Sequence, residues 1–149
     1  MSHPGLRVTG AAQPADPQRG RARSIRFKRM ARAIELAGRC TSEEGRVSPK
    51  VGAVIVKDGL EIASAYRGEV KIGDHAEYTA LVHKAGDQDL TGATVYTTLE
   101  PCTARNAPKQ PCARRLIERQ IARVVVGMMD PDPRIAGSGD RPSSSTAWR

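Results

Sequence analysis

The spacing of hydrophobic positions divides the chain into short, alternating helical and extended segments. Apolar residues at helical spacing over 25–37 predict a first helix, with Ser24 as its cap. The β-branched run 51–56, closed by Lys57-Asp58-Gly59, predicts a hairpin, and an uninterrupted apolar run is typical of a strand buried on both faces. The predicted elements are a helix at 24–38, strands at 51–56 and 61–66, a helix at 76–85, a strand at 93–99, a helix at 111–120 and a strand at 123–129.

This order of elements predicts an α/β fold of three layers, α/β/α, with a central mixed sheet. A chain of 149 residues is long enough for one domain with a real core. Residues 1–22 are rich in Pro, Gly, Ala, Gln and Arg and predict a disordered basic arm. We expect a catalytic domain over 23–139 and a flexible tail over 140–149.

The composition is typical of a globular protein in water, with 39% hydrophobic and 27% charged residues. No apolar run approaches the roughly 18 residues that a membrane span needs, and the N-terminus has no stretch of signal-peptide type. We therefore expect a cytoplasmic protein that does not bind membranes.

The net charge of +8 is concentrated near the N-terminus. Residues 1–32 carry eight basic residues and one acidic residue, whereas residues 33–149 carry sixteen basic and fifteen acidic residues. The favoured interpretation is a solvated extension that continues into a cationic helix face. Contact with nucleic acid phosphates or with an acidic partner stays open as the weaker alternative.

The cysteine count is odd, which argues against a disulfide framework and for metal binding by some of the thiols. Cys40 has no His or Cys near it in the sequence, and we interpret it as an ordinary, partly buried thiol.

The other two cysteines belong to a group with distinct chemistry. His75-Ala76-Glu77 is followed by Pro101-Cys102 and then by Pro111-Cys112, which gives one imidazole, two thiols and a carboxylate beside the imidazole. Three N and S ligands hold a catalytic zinc and leave its fourth position open for water. A glutamate that is not a ligand can move the protons of that water, so the set predicts hydrolytic deamination of a base.

The positions of these residues suit the same chemistry. His75 and Glu77 fall at a predicted helix start, where residues two apart lie roughly 200° around the axis, so that one can hold the metal while the other reaches the substrate. Cys102 and Cys112 each follow a proline at or near a predicted helix start, where thiolate is favoured over thiol. Each residue alone has an ordinary structural explanation, but their combination predicts zinc binding.

With these motifs the chain resembles the cytidine deaminase-like superfamily, and within it most closely the deaminase domain of the bacterial riboflavin pathway. The resembling segments cover nearly everything outside the two tails; they are ARAIELA, SPKVGAVIVKDG, HAEYTAL, GATVYTTLEPC, PCARRLIE and RVVVGMMDPDPRIAGSG. The HAE and PC elements are specific to the superfamily. The long gap between the cysteines and the DPDPRIAGSG ending are typical of the riboflavin branch.

The resemblance implies a role for several residues. His75, Cys102 and Cys112 match the zinc ligands, and Glu77 matches the proton shuttle. It further implies that the backbone N–H of Ala76 contacts the substrate carbonyl, that the carbonyl of Glu100 helps to bind the leaving ammonia, and that Ala53 walls the base pocket.

Several positions depart from the pattern of the riboflavin branch. The cysteines are separated by nine residues where that branch usually has eight, and the intervening His-x-Gly-Arg-Thr-Pro-Pro pattern near the ribose phosphate is replaced. Ser48 and Thr79 stand where the branch has asparagines, and we treat both as candidate substrate-binding residues. Arg105 and Lys109, inside the gap, either contact a substrate phosphate or are two solvated cations.

These observations leave three functions open. The first is a zinc-dependent deaminase that releases ammonia from a pyrimidine-type nucleoside, nucleotide or riboflavin precursor. The second is a deaminase of cytosine or adenine within a polynucleotide, which is weaker because the chain has only five aromatic residues for stacking on bases. The third, a non-enzymatic zinc-stabilised domain, is disfavoured because Glu77 has no structural reason to accompany three ligands. A homo-oligomer is left open.

Overall fold

The computed structural model describes residues 16–133 and the backbone of residues 147–148. Every predicted helix and strand is present, and most ends lie within about two residues of the prediction. The elements are α1 (Pro17–Ala37), β1 (Gly52–Lys57), β2 (Leu60–Tyr66), α2 (Ala76–Tyr78) continued by a π-helical segment (Thr79–Lys84), β3 (Thr94–Leu99), α3 (Cys112–Glu118), β4 (Arg123–Met128) and β5 (Ala147–Trp148). Within these described residues, no helix is both long and apolar enough to cross a membrane.

The sheet has five strands in the order β2-β1-β3-β4-β5. Strand β1 is antiparallel to both of its neighbours, whereas β3, β4 and β5 are parallel, so the sheet is mixed as predicted. The turn between β1 and β2 places Asp58 and Gly59 at φ 51° and 78°. Positive φ at both central residues is the geometry of a type I′ hairpin, which confirms the predicted turn.

Helices cover both faces of the sheet and complete the predicted three layers. One face packs against α1, through Ala33 and Leu36 on the helix and Val54 and Tyr96 on the strands. The opposite face packs against the π-helical segment and α3, and its buried residues include Ala53, Ile55, Val95, Ala80, Leu81 and Leu116. Alternate residues of β1 thus point into two separate cores, which is why this strand is apolar throughout.

Helix α1 begins seven residues before the predicted start, so the prediction of disorder is wrong for residues 17–22. Asp16 is the actual cap, because its side chain accepts the Gln18 N–H at 2.9 Å, and Pro17 occupies the first helical position, where proline is favoured. These two residues outweigh the helix-weakening effect of Gly20. The remainder of the predicted arm, residues 1–15, lies outside the described residues.

The predicted flexible tail is also wrong at one point. Ala147 and Trp148 pair in parallel with Arg123 and Val124 of β4 and form the short strand β5. The outer edge of β4 offers backbone N–H and C=O groups that need partners, and two residues of extended chain supply some of them. The rest of the predicted tail falls outside the described part of the chain.

Candidate active site

The HAE motif lies at the start of α2, as predicted. His75 is the N-cap, with an extended backbone at φ −69° and ψ 151°, and Ala76 is the first helical residue. Glu77 follows inside the first turn and is buried, with 3% of its surface exposed. The change from extended to helical backbone at His75 thus lies directly beside Glu77, and both residues line the same cavity.

The two cysteines have different local structures. Cys112 is the first residue of α3, as predicted, but Cys102 lies in the irregular segment 100–111, not at a helix start. The segment folds back so that the Cys112 N–H donates to Cys102 Sγ at 3.3 Å, and the Ala113 N–H donates to the Cys102 carbonyl at 3.1 Å. The start of α3 therefore supports both sulfur atoms, although only one of them is on the helix.

His75, Cys102 and Cys112 form a compact triad. Their ligand atoms all lie within 4.8 Å of one another. His75 Nδ1 is 3.5 Å from Cys102 Sγ and 3.6 Å from Cys112 Sγ. Zinc bonds of about 2.3 Å to sulfur and about 2.0–2.1 Å to nitrogen, at a tetrahedral angle, separate N and S ligands by about 3.6 Å. The donor types and their spacing fit zinc.

Contacts within the triad change the acidity of its thiols. A hydrogen bond from the Cys112 thiol lowers the pKa of Cys102 to about 4, with further lowering by His75 and by the Cys112 N–H. The same contact, together with burial, raises the pKa of Cys112. In the metal-free triad one thiol thus donates to the other sulfur, and both sulfurs bind zinc as thiolates.

Glu77 is held beside the triad by the sheet. The Thr97 hydroxyl on β3 donates to Glu77 Oε1 at 2.9 Å. Burial raises the pKa of the Glu77 carboxyl, whereas its own N–H, the nearby His75 and the Thr97 hydroxyl act in the opposite direction. A raised pKa brings the protonated and ionised forms of a carboxyl closer in free energy at neutral pH. Such a carboxyl is suited to taking up and returning a proton.

A cavity of about 650 Å³ is lined by Glu77 and by His75 and Cys102 of the triad, and its volume is within the size range of small-molecule sites. Three of the predicted substrate-binding residues line it: Glu100, Arg105 and Lys109. Arg105 is half-buried, and its charge partly opposes the rise in the pKa of Cys112, so it lies near the triad. The Glu100 side chain turns aside, because Oε2 accepts the Asp130 N–H at 3.2 Å.

The other predicted substrate-binding residues do not line this cavity. The side chains of Ala53, Ala76 and Thr79 are fully buried, and Ser48 is half-buried beside Pro49, which does line the cavity. Ala53 faces the core under the helices, and the apolar wall is formed by Val51 instead. The role of the Ala76 backbone N–H, at the start of α2, stays a prediction.

Sequence reasoning missed three residues around the site. Arg67 and Glu43 both line the cavity and pair at 3.1 Å, and Arg67 Nε is buried without a hydrogen-bond partner among the described residues. No local pattern indicates this pair, because the two residues are 24 positions apart. Thr97 had a weak signal, since it is a polar residue on the buried side of a strand.

Comparison with known families now decides the class of protein. The family model of the cytidine and deoxycytidylate deaminase zinc-binding region matches residues 24–128, well over half of the chain. The chain belongs to the cytidine and deoxycytidylate deaminase family. It is therefore an enzyme of the zinc-type hydrolytic deaminases, which confirms the predicted fold class, enzyme class and zinc cofactor and argues against the non-enzymatic alternative.

Relatives of this deaminase come from the riboflavin branch, which confirms the resemblance. The chain is 45% identical over 113 residues to the riboflavin biosynthesis protein RibD of Escherichia coli K12, covering 74% of this chain and 29% of that protein. It is 39% identical to the diaminohydroxyphosphoribosylamino-pyrimidine deaminase of Buchnera aphidicola from Acyrthosiphon pisum, covering 74% of this chain and 71% of the relative.

Solved structures agree with this placement. A diaminohydroxyphosphoribosylaminopyrimidine deaminase/5-amino-6-(5-phosphoribosylamino)uracil reductase from Thermotoga maritima superimposes with a TM-score of 0.65 at 41% identity, covering 75% of this chain and 32% of that one. The deaminase described here spans about a quarter of the length of the RibD proteins that it matches.

Proposed function

We propose that this protein deaminates a phosphoribosylated aminopyrimidine of the riboflavin-precursor type and releases ammonia. The observation that carries the proposal is the position of Glu77. Its buried carboxyl lies beside the His–Cys–Cys triad, at a cavity that also holds Arg105 and Lys109. The relative from Buchnera is named for this reaction, and it matches the present chain over most of its own length.

Each site residue has a defined task in the proposed reaction. His75, Cys102 and Cys112 would hold zinc, which when bound would lower the pKa of water toward 7 and so supply a nucleophile at neutral pH. Glu77 takes one proton from the attacking water and gives it to the ring nitrogen, and then takes the second proton from the hydroxyl now on the carbon and gives it to the departing amine. The carbon–nitrogen bond to the exocyclic amine breaks, a carbonyl forms from the oxygen of water, and ammonia leaves.

Two backbone groups complete the proposed binding of the ring. The Ala76 N–H is free of an intrahelical partner because it belongs to the first residue of α2, and we assign it to the substrate carbonyl. The Glu100 carbonyl, adjacent to the buried Pro101 and the ligand Cys102, is assigned to the leaving ammonia.

The phosphate end of the substrate is assigned to the segment between the cysteines. Among the departures from the riboflavin branch, Ser48 and Thr79 lie outside the cavity lining, whereas the altered segment contributes Arg105 and Lys109 to it. Arginine can bind a phosphate through two hydrogen bonds and lysine as a point charge. These two cations replace, in this chain, the pattern that the branch uses at the same place.

The test is ammonia release from purified protein offered the phosphorylated riboflavin precursor, its dephosphorylated form, cytidine, deoxycytidine, their monophosphates and single-stranded DNA. We expect turnover of the phosphorylated precursor and a higher KM for its dephosphorylated form. Arg105→Ala should raise KM for the phosphorylated substrate by about 10- to 150-fold and leave KM for the dephosphorylated one unchanged, because one charge-assisted contact is worth about 1.5–3 kcal/mol.

Glu77→Gln tests the chemical step. It should reduce turnover at least a hundredfold, the lower range for a general acid–base group, while zinc stays near one ion per chain. Glu44→Gln is the matched control, because Glu44 is exposed and does not line the cavity. Loss of zinc in Glu77→Gln would refute the assigned role of Glu77, and activity on single-stranded DNA alone would refute the small-molecule assignment.

One observation supports the polynucleotide alternative. Residues 16–28, which include the N-terminal half of α1, are exposed. Five cations in this stretch form no ion pair with any described residue: Arg19, Arg21, Arg23, Arg26 and Lys28. Such a face suits phosphates, and binding to it should weaken steeply as salt is raised. The alternative is favoured if DNA or RNA is deaminated faster than every small substrate.

We further propose that the catalytic domain spans residues 23–139, around the matched region 24–128. A cytoplasmic location is proposed from the biosynthetic names of the relatives. The homo-oligomer left open by the sequence stays a prediction, to be tested by light scattering across a range of protein concentrations.

A further inference from the structure

Thr97 occupies an unusual place for a hydroxyl. It lies in the middle of β3, between β1 and β4, and its side chain is fully buried. Its Oγ1 is 2.9 Å from Glu77 Oε1 and 3.0 Å from the carbonyl oxygen of Leu99. A buried hydroxyl needs hydrogen-bond partners, and this one finds them in the proposed proton shuttle and in its own strand.

The backbone of Thr97 is fixed on both sides. It pairs with Ala53 of β1 in the antiparallel direction and with Val126 of β4 in the parallel direction. Glu77, by contrast, lies on a three-residue α-helix that passes into the π-helical segment. The contact therefore joins a side chain on a short helix to a strand that is paired on both sides.

The Glu77 carboxyl has one side-chain hydrogen-bond partner among the described residues. That partner is the hydroxyl of Thr97. A Thr side chain has restricted rotation about its first bond because it is β-branched, so its oxygen is held in a defined direction. A carboxyl fixed at one oxygen by such a group has few orientations left.

We infer that Thr97 is a positioning residue for the proposed deamination: its hydroxyl holds Oε1 of Glu77 so that the second carboxyl oxygen serves the reacting groups. The inference rests on the proposed function. A hydroxyl has one hydrogen and two lone pairs, so Thr97 donates to a carboxylate and, with its hydrogen turned to Leu99 O, accepts from a protonated carboxyl.

Thr97→Val is the decisive variant, because valine keeps the shape and strand preference of threonine and removes the hydroxyl. We expect kcat to fall about 10- to 100-fold, the range for a misplaced catalytic group, while KM changes less than about twofold. Zinc content should equal that of the wild type. Thr97→Ser restores the hydroxyl and should recover most of the lost kcat.

Thr94→Val is the matched control, since Thr94 lies on the same strand, is half-buried and does not line the cavity. Its kcat should equal that of the wild type. Wild-type kcat in Thr97→Val would overturn the inference. Equal losses in the Val and Ser variants would also overturn it, because they would indicate a packing defect and not a missing hydroxyl.

A second measurement separates this inference from the proposed function. Crystal structures of zinc-loaded wild type and Thr97→Val at matched resolution should show a single Glu77 conformer in the wild type and a rotated or split one in the variant. An unchanged Glu77 conformer in the variant overturns the positioning role. If the wild type turns over none of the substrates, the proposed function fails, and the crystallographic comparison still decides whether Thr97 orients Glu77.

Discussion

Replacement of Gly52 by alanine should be among the most damaging small substitutions in this protein. Gly52 begins β1, directly under α1. A Cβ built at this position would lie 2.0 Å from the carbonyl oxygen of Ala33, 2.8 Å from the Ala37 nitrogen and 3.0 Å from the Ala33 carbonyl carbon. All three atoms belong to the helix backbone, so no side-chain rotation can relieve the contact.

The size of the effect follows from that distance. Ordinary contacts of a Cβ begin near 3.4 Å, so the helix and the strand must separate by more than 1 Å. Separation would loosen the packing of Leu36 on Val54, both of which are buried. Overpacking of a well-packed core costs about 1–3 kcal/mol, and we place Gly52→Ala at the upper end, near 3 kcal/mol. For a domain of this size that lowers Tm by about 6–12 °C.

Two other glycines provide a graded comparison in chemical and thermal unfolding. At Gly127 the nearest atoms to an added Cβ are 3.0 Å and 3.3 Å away, so Gly127→Ala should cost about 1 kcal/mol. At Gly20, inside α1, nothing lies within 4 Å, and alanine should stabilise the helix by up to about 1 kcal/mol. A Gly52→Ala protein as stable as the wild type, or more stable than Gly127→Ala, would refute the close packing of α1 on β1.

Three further predictions concern other parts of the molecule. Thr79→Val should raise the free energy of unfolding by about 1 kcal/mol, because the Thr79 hydroxyl is buried without a partner among the described residues; destabilisation in urea titration would contradict this. Asp89 accepts hydrogen bonds from Thr91 and Lys57, which lower the pKa of its carboxyl, so its stabilising contribution is present above the unfolded pKa of about 3.9 and is lost as the pH falls through the lower folded value. Asp89→Asn should therefore lower Tm at pH 7, and the difference should narrow below about pH 4; a difference that is constant with pH would exclude the ionic origin. Removal of zinc by a chelator should lower Tm, and added zinc should restore it, because a metal that binds only the folded chain stabilises it; no change in calorimetry, together with no zinc in the purified protein, would count against the metal site.

Elements that depend on local pattern could be predicted from the sequence. The hairpin around Asp58-Gly59 is the clearest example, because the turn residues and the apolar strand before them are adjacent in the chain. The start of α1 was missed because Asp16 and Pro17 stand beside residues typical of disorder, and a cap is recognised only when the helix after it is expected. The π-helical form of Thr79–Lys84 was missed because six residues are too few to distinguish its period from that of an α-helix.

The candidate site likewise contains residues that local pattern predicts and residues whose positions depend on distant contacts. The metal triad could be predicted because the chemistry of zinc restricts its ligands to a few residue types, and two of the three ligands flank helix starts that have their own sequence signals. The position of Cys102 could not be predicted, since it depends on how the irregular segment 100–111 folds back onto α3. The pairing of Glu43 with Arg67 depends likewise on a loop that packs against a distant strand end.

The substrate specificity of this enzyme can change separately from its chemistry, because the residues for the two tasks lie on different kinds of structure. His75, Glu77 and Cys112 are held by helices that pack on the sheet, whereas the cations of the cavity stand on irregular chain. Since loops tolerate substitution better than packed elements, residues 103–111 can alter what is bound without moving His75, Glu77 or Cys112. Cys102, at the edge of the same loop, is held by the N–H groups of Cys112 and Ala113 at the start of α3. The placement of Ser48 and Thr79 outside the cavity lining supports this, because it concentrates the differences from the riboflavin branch in that one segment. Exchange of residues 103–111 should therefore move KM among phosphorylated substrates more than kcat.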